Sequence, residues 1–433
     1  MAIGIVAIWG GGNRLPAETN APLYSFDVWQ TEQGLPQNSV TSIVQTRDGY
    51  LWLGTYNGLV RFDGVRFKVF DSSNTPEFQG SRITSLFEDE GGSLWIGHET
   101  GNLTRLRNGN FSQVDSGTNS DGGQILSIAS DGEGSVWTIN YYGRLFSERE
   151  GKSFISPVRA GREDSVPSLV KDKDGKLWVV HGDLTGSLEK GILVPMQQPG
   201  EPDPDGVQRV CASRNGGLWI VGDTKLRRWN GGKVSVDAEP VPWGQNALTA
   251  MLETKAGELL IGTLKAGLFL RSREGTYQQF TRSNGLSHDW VRCLYQDREG
   301  TIWVGTGGGG LDALRSRKVT MVKAPDDWLG RAVLSVTPSA AGGLWVGTEG
   351  AGLYRLNEGN LTRFEQPNGL PNSFVWSVLE DRQHGLWVGT WGGGLVVRRG
   401  ETFQVPAGLE GNTSAMLAMH QDRRGALWIG TQS

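Results

Sequence analysis

The chain has 433 residues, of which 42 are basic and 46 acidic, and its formal net charge is −4. Because like charges form no long run, the sequence lacks the basic surface that nucleic-acid binding requires, and no nucleic-acid partner is expected. The 64 glycines and 17 tryptophans indicate many tight turns and a repeatedly used aromatic residue, which favours an all-β fold. No segment reaches the roughly 20 apolar residues of a membrane-spanning helix.

The chain begins with a short apolar run, Met1-Ala-Ile-Gly-Ile-Val-Ala-Ile-Trp9, followed by a more polar stretch up to Thr19. This order is similar to the end of a secretory signal peptide, although the basic start of such a signal is missing. Residues 1–21 are therefore predicted to be a signal-peptide remnant or a disordered N-terminus. A periplasmic or extracytoplasmic location follows, with a buried N-terminal strand or a misplaced start codon as the alternatives.

One aromatic position recurs through the rest of the chain, at spacings of 41 to 43 residues. It is occupied by Trp52, Trp95, Trp137, Trp178, Trp219, Trp303, Trp345, Trp387 and Trp428, with Leu260 in the single gap. A constant period of this length, without a helical pattern, is typical of four-stranded propeller blades. The sequence therefore predicts ten blade units in an all-β, tandem β-propeller chain.

The first unit shows how each blade is built from strands and tight turns. Its predicted strands are Val40–Gln45, Leu51–Thr55, Gly58–Phe62 and Arg66–Phe70. Asp48-Gly49 and Asp63-Gly64 separate strands as hairpin turns. A glycine stands three residues before the phased tryptophan in nine of ten units, because that turn needs a positive φ. His384 is the exception, and a different turn type is expected there.

The phased tryptophan is predicted to pack between neighbouring blades, because a residue present in nearly every unit belongs to the fold. Units three to five depart from the repeat and lose its Gly-Thr pair, in Trp137-Thr-Ile-Asn140, Trp178-Val-Val-His181 and Trp219-Ile-Val-Gly222. Two explanations stay open for these degenerate blades. The change is either drift in a scaffold or a mark of the side of the ring adapted to a ligand.

Three segments share a further motif: Gln33-Gly-Leu-Pro-Gln-Asn38, Asn284-Gly-Leu-Ser287 and Asn368-Gly-Leu-Pro-Asn372. With the pattern Asp-x-x-Gly-x-Leu-Trp-x-Gly-Thr, the chain resembles the two-component-regulator propeller repeats of bacterial hybrid histidine kinases and related signalling proteins. The resemblance covers Tyr24 to Ser433. It implies an extracytoplasmic sensor of two seven-bladed propellers, a β-sandwich, a membrane helix and a cytoplasmic kinase or other output domain.

The order of strands predicts where one ring ends and the next begins. Tyr24–Val28 has the character of an outer strand that completes the last blade of a ring, and Lys318–Val322 has the same character. We therefore expect a first seven-bladed propeller over residues 22–316 and the first blades of a truncated second propeller over 317–433. The chain is expected to be a fragment of a longer sensor; a single larger ring is the alternative.

Candidate ligand residues lie in the loops after the second strands and before the inner strands, which meet around the central channel. The predicted site residues are Tyr56, Asn57, His98, Glu99, Tyr141, Tyr142, His181, Asp183 and Trp290. The same rim is expected to carry Asn38, Arg82, Arg209, Asp223, Lys265 and Asp289. Aromatic faces mixed with carboxylates, amides and arginine suit a sugar or another polar metabolite. We expect a small-molecule or oligosaccharide ligand, and a homodimer in the full-length sensor.

Two other functions remain open at this point. His98 and His181 replace the regular threonine three residues after the tryptophan, so a propeller lyase or other hydrolytic enzyme with a histidine base is one alternative. No metal-ligand spacing, nucleophile motif or paired-carboxylate motif supports it, and no cofactor is expected. The other alternative is a non-catalytic scaffold for protein interactions. Any attachment to a membrane would require a segment that this sequence does not include.

Overall fold

The structure, a computed structural model, describes residues 24–114, 123–149, 152–159, 166–181, 184–196, 207–222, 224–231, 233–236, 241–316, 332–357, 360–366 and 369–432. The predicted signal-peptide remnant, 1–21, and the predicted closing strand at 318–322 lie outside these ranges. The described residues form strands and one short 3-10 helix, Thr31–Gln33. None of their helices is long and apolar enough to cross a membrane.

The chain divides into two compact units, the first of which is Tyr24–Ser316. This unit contains seven four-stranded antiparallel sheets, which we number as blades 1 to 7 in chain order. The first strand of the chain is β1 (Tyr24–Trp29). Blades 1 to 3 consist of β2 (Val40–Gln45), β3 (Leu51–Thr55), β4 (Gly58–Phe62), β5 (Phe67–Phe70), β6 (Ile83–Glu88), β7 (Leu94–His98), β8 (Leu103–Arg107), β9 (Asn110–Val114), β10 (Ile125–Ser130), β11 (Val136–Asn140), β12 (Arg144–Arg149) and β13 (Lys152–Arg159).

The remaining four blades of this unit follow the same order, from an inner to an outer strand. Blades 4 and 5 consist of β14 (Ser168–Lys171), β15 (Leu177–His181), β16 (Leu184–Glu189), β17 (Ile192–Pro195), β18 (Arg209–Ala212), β19 (Leu218–Val221), β20 (Leu226–Asn230) and β21 (Lys233–Val236). Blades 6 and 7 consist of β22 (Leu248–Glu253), β23 (Leu259–Thr263), β24 (Leu268–Arg271), β25 (Tyr277–Phe280), β26 (Val291–Gln296), β27 (Ile302–Thr306) and β28 (Leu311–Ser316).

Blade 7 takes its fourth strand from the start of the chain. β1 pairs antiparallel with β28, from Tyr24 opposite Ser316 to Trp29 opposite Leu311. The inner strands of successive blades contact one another, and the inner strand of blade 7, β26, contacts that of blade 1, β2. The first unit is therefore a closed seven-bladed ring. The expectation that Tyr24–Val28 supplies the closing strand is confirmed.

The second unit contains three further sheets with the same antiparallel order. Blades 8 and 9 each have four strands and blade 10 has two. These are β29 (Val333–Pro338), β30 (Leu344–Thr348), β31 (Leu353–Asn357), β32 (Asn360–Phe364), β33 (Val375–Glu380), β34 (Leu386–Thr390), β35 (Gly394–Arg399), β36 (Thr402–Gln404), β37 (Met416–Gln421) and β38 (Leu427–Thr431). The all-β tandem propeller, one complete ring followed by part of a second, is confirmed.

The phased tryptophans pack between blades, as predicted. Trp52 of blade 1 lies in one apolar cluster with Ile83 and Ile96 of blade 2, and Trp303 of blade 7 packs with Val40 of blade 1. In contrast, Trp428 of blade 10 is 64% exposed. Each buried indole removes roughly 200 Å² from water, so this repeated contact contributes to the packing of neighbouring blades.

An aspartate six residues before the tryptophan fixes both the indole and the hairpin turn. In blade 7, Asp297 accepts hydrogen bonds from the indole Nε1 of Trp303 at 2.8 Å and from the backbone N–H of Thr301 at 2.7 Å. Blades 2, 3, 4 and 9 repeat the indole bond through Asp89, Asp131, Asp172 and Asp381. The aspartate of the repeat motif is therefore a structural residue.

The identity of this residue depends on the next blade. Where the neighbouring inner strand ends in glutamate, the position is a hydroxyl residue; the pairs are Thr46 with Glu88, Ser213 with Glu253 and Ser339 with Glu380. Each glutamate accepts the backbone N–H of the residue after the hydroxyl residue. Where the position is aspartate, the neighbouring strand ends in Gln45, Ser130, Lys171, Ala212 or Gln421. Thr254 of blade 6, beside Gln296, is a hydroxyl residue without a neighbouring glutamate. In none of these pairs do both positions carry a carboxylate, which agrees with the repulsion between two adjacent negative charges.

The hairpin turn of blade 9 differs from the expectation made for it. His384 adopts a φ of 64°, which is the left-handed conformation that glycine takes at the other turns. Its backbone N–H donates to the carbonyl oxygen of Asp381 at 2.9 Å, as that of Gly49 donates to Thr46 in blade 1. The expectation of a different turn type was therefore wrong, because the hydrogen bonds hold a histidine in the same conformation.

Candidate functional site

The first ring has two ends that differ in construction. At the turn end, each inner strand reverses into the second strand through the hairpin described above. At the loop end, the second strands end and the inner strands begin, so the loops that carry the predicted site residues meet there. In regular blades the threonine that ends the second strand fixes the loop that follows. Thr55 and Thr263, for example, donate to the carbonyl oxygens of Gly58 and Gly267 at 2.8 and 2.9 Å.

His98 lies in the interior of blade 2 and not at the channel. Its side chain is buried, its Nδ1 is 3.1 Å from the carbonyl oxygen of Gly80, and its Nε2 is 2.9 Å from the hydroxyl of Thr104. Burial lowers the pKa of this imidazole to about 4. Both ring nitrogens are engaged in holding the loop, so His98 replaces the regular threonine structurally and is not placed as a general base.

Tyr56 stands at the centre of a cluster that joins three blades. The guanidinium carbon of Arg292, from blade 7, lies 4.9 Å from the Tyr56 ring centroid, and that of Arg82, from blade 2, lies 5.1 Å from it. Arg292 also donates from Nη2 to the Tyr56 hydroxyl at 2.7 Å. Glu99 binds Arg82 at 3.1 Å. The structure thus brings together two predicted residues, Tyr56 and Glu99, with the expected rim residue Arg82.

Trp290 extends this cluster within blade 7. The guanidinium carbon of Arg292 lies 4.8 Å from the Trp290 ring centroid, so Arg292 contacts two aromatic rings. The indole also lies against the backbone of Gly307, where an added Cβ would come within 2.2 Å of the ring. We call Tyr56, Arg82, Glu99, Trp290 and Arg292 the arginine cluster.

The remaining predicted residues do not join the arginine cluster. Asn57 is exposed beside Tyr56, and its backbone N–H donates to the hydroxyl of Thr55. Tyr141 and Tyr142 of blade 3 are 55% and 57% exposed and contact each other edge to face, with ring centroids 5.6 Å apart. His181 is buried at the end of β15, and Asp183 lies outside the described residues.

Two of the other expected rim residues are engaged in the loops that precede the inner strands. The side-chain oxygens of Asn38 and Asp289 accept the backbone N–H groups of Thr31 and Arg282 at 2.9 Å. Lys265 is exposed. Arg209 donates to the carbonyl oxygen of Val166 at 3.1 Å, and Asp223 lies outside the described residues. This part of the rim therefore contributes mainly loop structure.

Sequence reasoning missed two residues of blade 7. Arg292 lies within the inner strand β26, outside the loops from which the candidate residues were chosen. Asp312 is fully buried on β28, where its Oδ2 accepts hydrogen bonds from the backbone and hydroxyl of Ser287. Burial raises the pKa of Asp312 to about 7. Blade 7 thus contains a buried carboxyl group that titrates near neutral pH.

Metal binding would be a further possibility for the described residues of the loop end. Among the described residues no group of three or more His, Cys, Asp and Glu side chains is arranged to hold a metal ion. An open cleft of about 460 Å³ lies at the turn end, between blades 1 and 2, and is lined in part by Trp52, Arg61 and Phe111. Several side chains of this cleft, such as Trp52 and Phe111, belong to the packing of adjacent blades.

A family model described as "Two component regulator propeller" matches residues 34–57, 285–308 and 369–392. These are the Gly-Leu segments of units one, seven and nine with the strands that follow, so the resemblance seen in the sequence is confirmed. A search of curated protein sequences gives no match.

Solved structures show the same fold. The extracellular domain of the hybrid two component system BT3049 from B. thetaiotaomicron is 22% identical, with a TM-score of 0.58 over 94% of this chain and 58% of that chain. The extracellular domain of the one component system BT4673 from the same organism is 19% identical, with a TM-score of 0.55 over 94% of this chain and 57% of that chain. This chain therefore spans a little more than half of either domain.

An enzyme shares the fold of a single ring. The virginiamycin B lyase from Staphylococcus aureus is 15% identical, with a TM-score of 0.54 over 67% of this chain and 99% of that chain. At this identity the likeness shows only a shared propeller architecture.

Proposed function

We propose that this chain, which carries the repeats of the two component regulator propeller family, is the extracytoplasmic sensing region of a bacterial signalling protein. In this proposal the loop end of the first ring binds a small molecule, with an oligosaccharide as the preferred class, and the binding is passed to an output domain. The output domain, a histidine kinase or another module, would act in pairs, so we expect the full-length protein to be a homodimer.

The observation that carries this proposal is the arginine cluster. Its five side chains, from blades 7, 1 and 2, form a continuous series of contacts at the loop end: Trp290 with Arg292, Arg292 with Tyr56, Tyr56 with Arg82, and Arg82 with Glu99. The neighbouring Tyr141 and Tyr142 add exposed aromatic rings on blade 3. Sugar-binding sites combine charged groups with exposed aromatic side chains. The apolar face of a sugar stacks on an aromatic ring, and its hydroxyl groups need hydrogen-bond partners.

The enzyme alternative has less support from the geometry. A histidine base must reach the substrate, whereas His98 is 1% exposed with both ring nitrogens engaged. Its lowered pKa follows from burial and keeps it neutral, but a buried neutral imidazole without access to solvent cannot take a substrate proton. The sensing role therefore remains the better proposal for this chain.

A thermal-shift screen of the 433-residue chain tests the proposed function. The panel contains neutral and acidic oligosaccharides together with non-sugar metabolites. We expect one oligosaccharide class to raise the melting temperature progressively with its concentration, because ligand that binds only the folded state stabilises it by mass action. Turnover of a panel member would instead support the enzyme. No shift with any compound would contradict ligand sensing and favour the interaction scaffold.

A further inference from the structure

Arg292 occupies a strand position where three other blades of the first ring, 1, 2 and 6, carry a threonine. Thr41, Thr84 and Thr249 stand at this position, and each donates to a backbone carbonyl oxygen of the next inner strand. In these three blades the bond links two neighbouring inner strands. In blade 7 an arginine stands in place of the threonine and does not form this bond. The carbonyl oxygen of Val40 instead accepts a hydrogen bond from the thiol of Cys293 at 3.6 Å. The fold itself therefore does not explain why an arginine stands here.

The surroundings of Arg292 hold its guanidinium group without neutralising it. The guanidinium carbon lies 4.8 Å from the ring centroid of Trp290 and 4.9 Å from that of Tyr56. One N–H group of the guanidinium donates to the Tyr56 hydroxyl. No carboxylate of the described residues forms an ion pair with Arg292, whereas Arg82 on the other side of Tyr56 binds Glu99 at 3.1 Å. Of the two positive charges that contact Tyr56, only that of Arg82 has a counter-charge among the described residues.

Such an arrangement suits an incoming anion. Aromatic rings that contact a guanidinium group restrict its orientation and leave edge N–H groups for a ligand. A planar guanidinium with free N–H groups matches the two oxygens of a carboxylate or the oxygens of a sulfate. The Tyr56 hydroxyl accepts its bond from Arg292, so its own proton is available to the same ligand.

We propose that Arg292 and Tyr56 bind an anionic group, and that the ligand of the loop end is therefore an acidic oligosaccharide with a carboxylate or sulfate substituent. This inference rests on the proposed sensing function and narrows its ligand class. Trp290 is then a positioning residue: packed on Gly307, it orients Arg292 and does not stack on the sugar. Tyr141 and Tyr142 are the exposed rings that remain for stacking.

Isothermal titration of the full chain with matched sugars tests this inference. The probes are a disaccharide with a glucuronate residue, its counterpart with glucose, a sulfated disaccharide, its desulfated counterpart, and inorganic sulfate alone. We expect at least one acidic probe to bind ten-fold or more tightly than its neutral counterpart. The two acidic arms then tell whether the carboxylate or the sulfate is recognised. Raising the salt concentration should weaken the binding of the acidic probe, because salt ions screen the attraction between its negative charge and Arg292.

Three variants connect this preference to Arg292. Arg292→Gln should reduce the preference for the acidic probe at least ten-fold, and Arg292→Lys should retain part of it, because lysine keeps the charge without the planar fork. Arg61→Gln is the matched control, since Arg61 stacks on Tyr50 at 4.4 Å but lies away from the loop end. We expect it to bind like the wild type. Circular dichroism and melting curves verify that each variant folds.

The outcomes separate this inference from the proposed function. If neutral and acidic sugars bind equally well, or if Arg292→Gln keeps the acidic preference, the anion site is wrong and sugar sensing stands. If inorganic sulfate alone reproduces the acidic binding, the site holds an ion and the oligosaccharide assignment is wrong. If none of the sugars binds, both proposals are contradicted.

Discussion

The two ends of the first ring use their polar side chains differently. At the turn end, aspartate, threonine or serine and glutamate form the same bonds in blade after blade, and each bond holds a tryptophan or a hairpin. At the loop end, the arginine cluster joins side chains of three blades in a combination that the repeat does not predict. Repetition therefore marks residues that hold the fold, and a departure from it marks residues available for another purpose.

For the degenerate units three to five the sequence leaves two explanations, drift in a scaffold or adaptation to a ligand. The arginine cluster lies in blades 7, 1 and 2, whose repeats are more regular, whereas blade 3 carries the exposed rings of Tyr141 and Tyr142. Blade 5 shows a structural cost of degeneration: with Ser213 in place of aspartate, the indole nitrogen of Trp219 has no hydrogen-bond acceptor among the described residues. In that blade the departure weakens a bond of the fold.

The largest effect is expected at the buried carboxyl of the loop end. Folding raises the pKa of Asp312 from its ordinary value to about 7, so the folded chain holds a proton that the unfolded chain releases at a lower pH. The contribution of protonated Asp312 to the free energy of unfolding is fully present below about pH 4 and is lost as the pH rises through 7. Asp312→Asn should therefore raise stability at pH 8 by up to about 4 kcal/mol and hardly at all at pH 4.

Melting curves of wild type and Asp312→Asn between pH 4 and pH 8.5 measure this difference. The neighbours of Asp312 across the sheet are the apolar residues Val28 and Val304, so we attribute the slope to this carboxyl group. A constant difference between the two proteins across the pH range would show that Asp312 does not titrate near neutrality.

A slightly smaller effect is expected at the turn end. Asp297→Ala leaves the indole nitrogen of Trp303 and the backbone N–H of Thr301 without their acceptor in a buried turn. Because unmade buried hydrogen bonds are costly, the first ring should lose about 3 kcal/mol. Scanning calorimetry of the full chain measures the loss. Asp63→Ala, in an exposed turn with comparable backbone bonds, is the control and should cost less; equal losses would argue against this role of burial.

Repair of blade 5 tests the pairing between hydroxyl residues and glutamates. Ser213→Asp alone should not stabilise the ring, because the new carboxylate would lie beside Glu253. Combined with Glu253→Gln, it should add about 1 kcal/mol, since Trp219 gains an acceptor and glutamine can still accept the N–H of Arg214. A double-mutant cycle by urea unfolding gives the coupling energy. Additive effects of the two substitutions would contradict a repulsion between carboxylates at these two positions.

The smallest effect on stability is expected for the exposed rings of blade 3. Tyr142→Ala removes a side chain that is 57% exposed and should change the free energy of unfolding by no more than about 0.5 kcal/mol. Binding of the sugar should nevertheless weaken. Trp290→Ala, in comparison, should also lower stability somewhat, because it removes the packing between Gly307 and Arg292. If Tyr142→Ala binds the sugar as tightly as the wild type does, Tyr142 does not contact the ligand.

The repeat predicts the fold well because its signals are local. The glycine turns, the alternating strands and the tryptophan phase are set within each unit, and the order of the strands is enough to identify Tyr24–Val28 as the closing strand. The dependence of Thr46 on Glu88, or of Ser213 on Glu253, joins residues about 40 positions apart. A single unit does not display it, and it emerges only when the blades are placed side by side.

The site was less predictable because phase determines which end of a blade a residue occupies but not where its side chain points. Tyr56, Glu99, Arg82 and Trp290 were placed at the loop end and do contact within the arginine cluster. His98 was expected at the same end, one residue before Glu99, yet its side chain turns into the blade toward Thr104. Arg292 was missed because it lies within an inner strand, whereas the site was sought in the loops.

In the proposed mechanism, ligand binds at the loop end and leaves the turn end unchanged. Hydrogen–deuterium exchange of the 433-residue chain, with and without the sugar that stabilises it, distinguishes the two ends. We predict added protection in peptides that contain residues 56–58, 81–83 and 288–292, and unchanged exchange in those that contain 46–50 and 297–301. Protection confined to the turn-end peptides would contradict this mechanism.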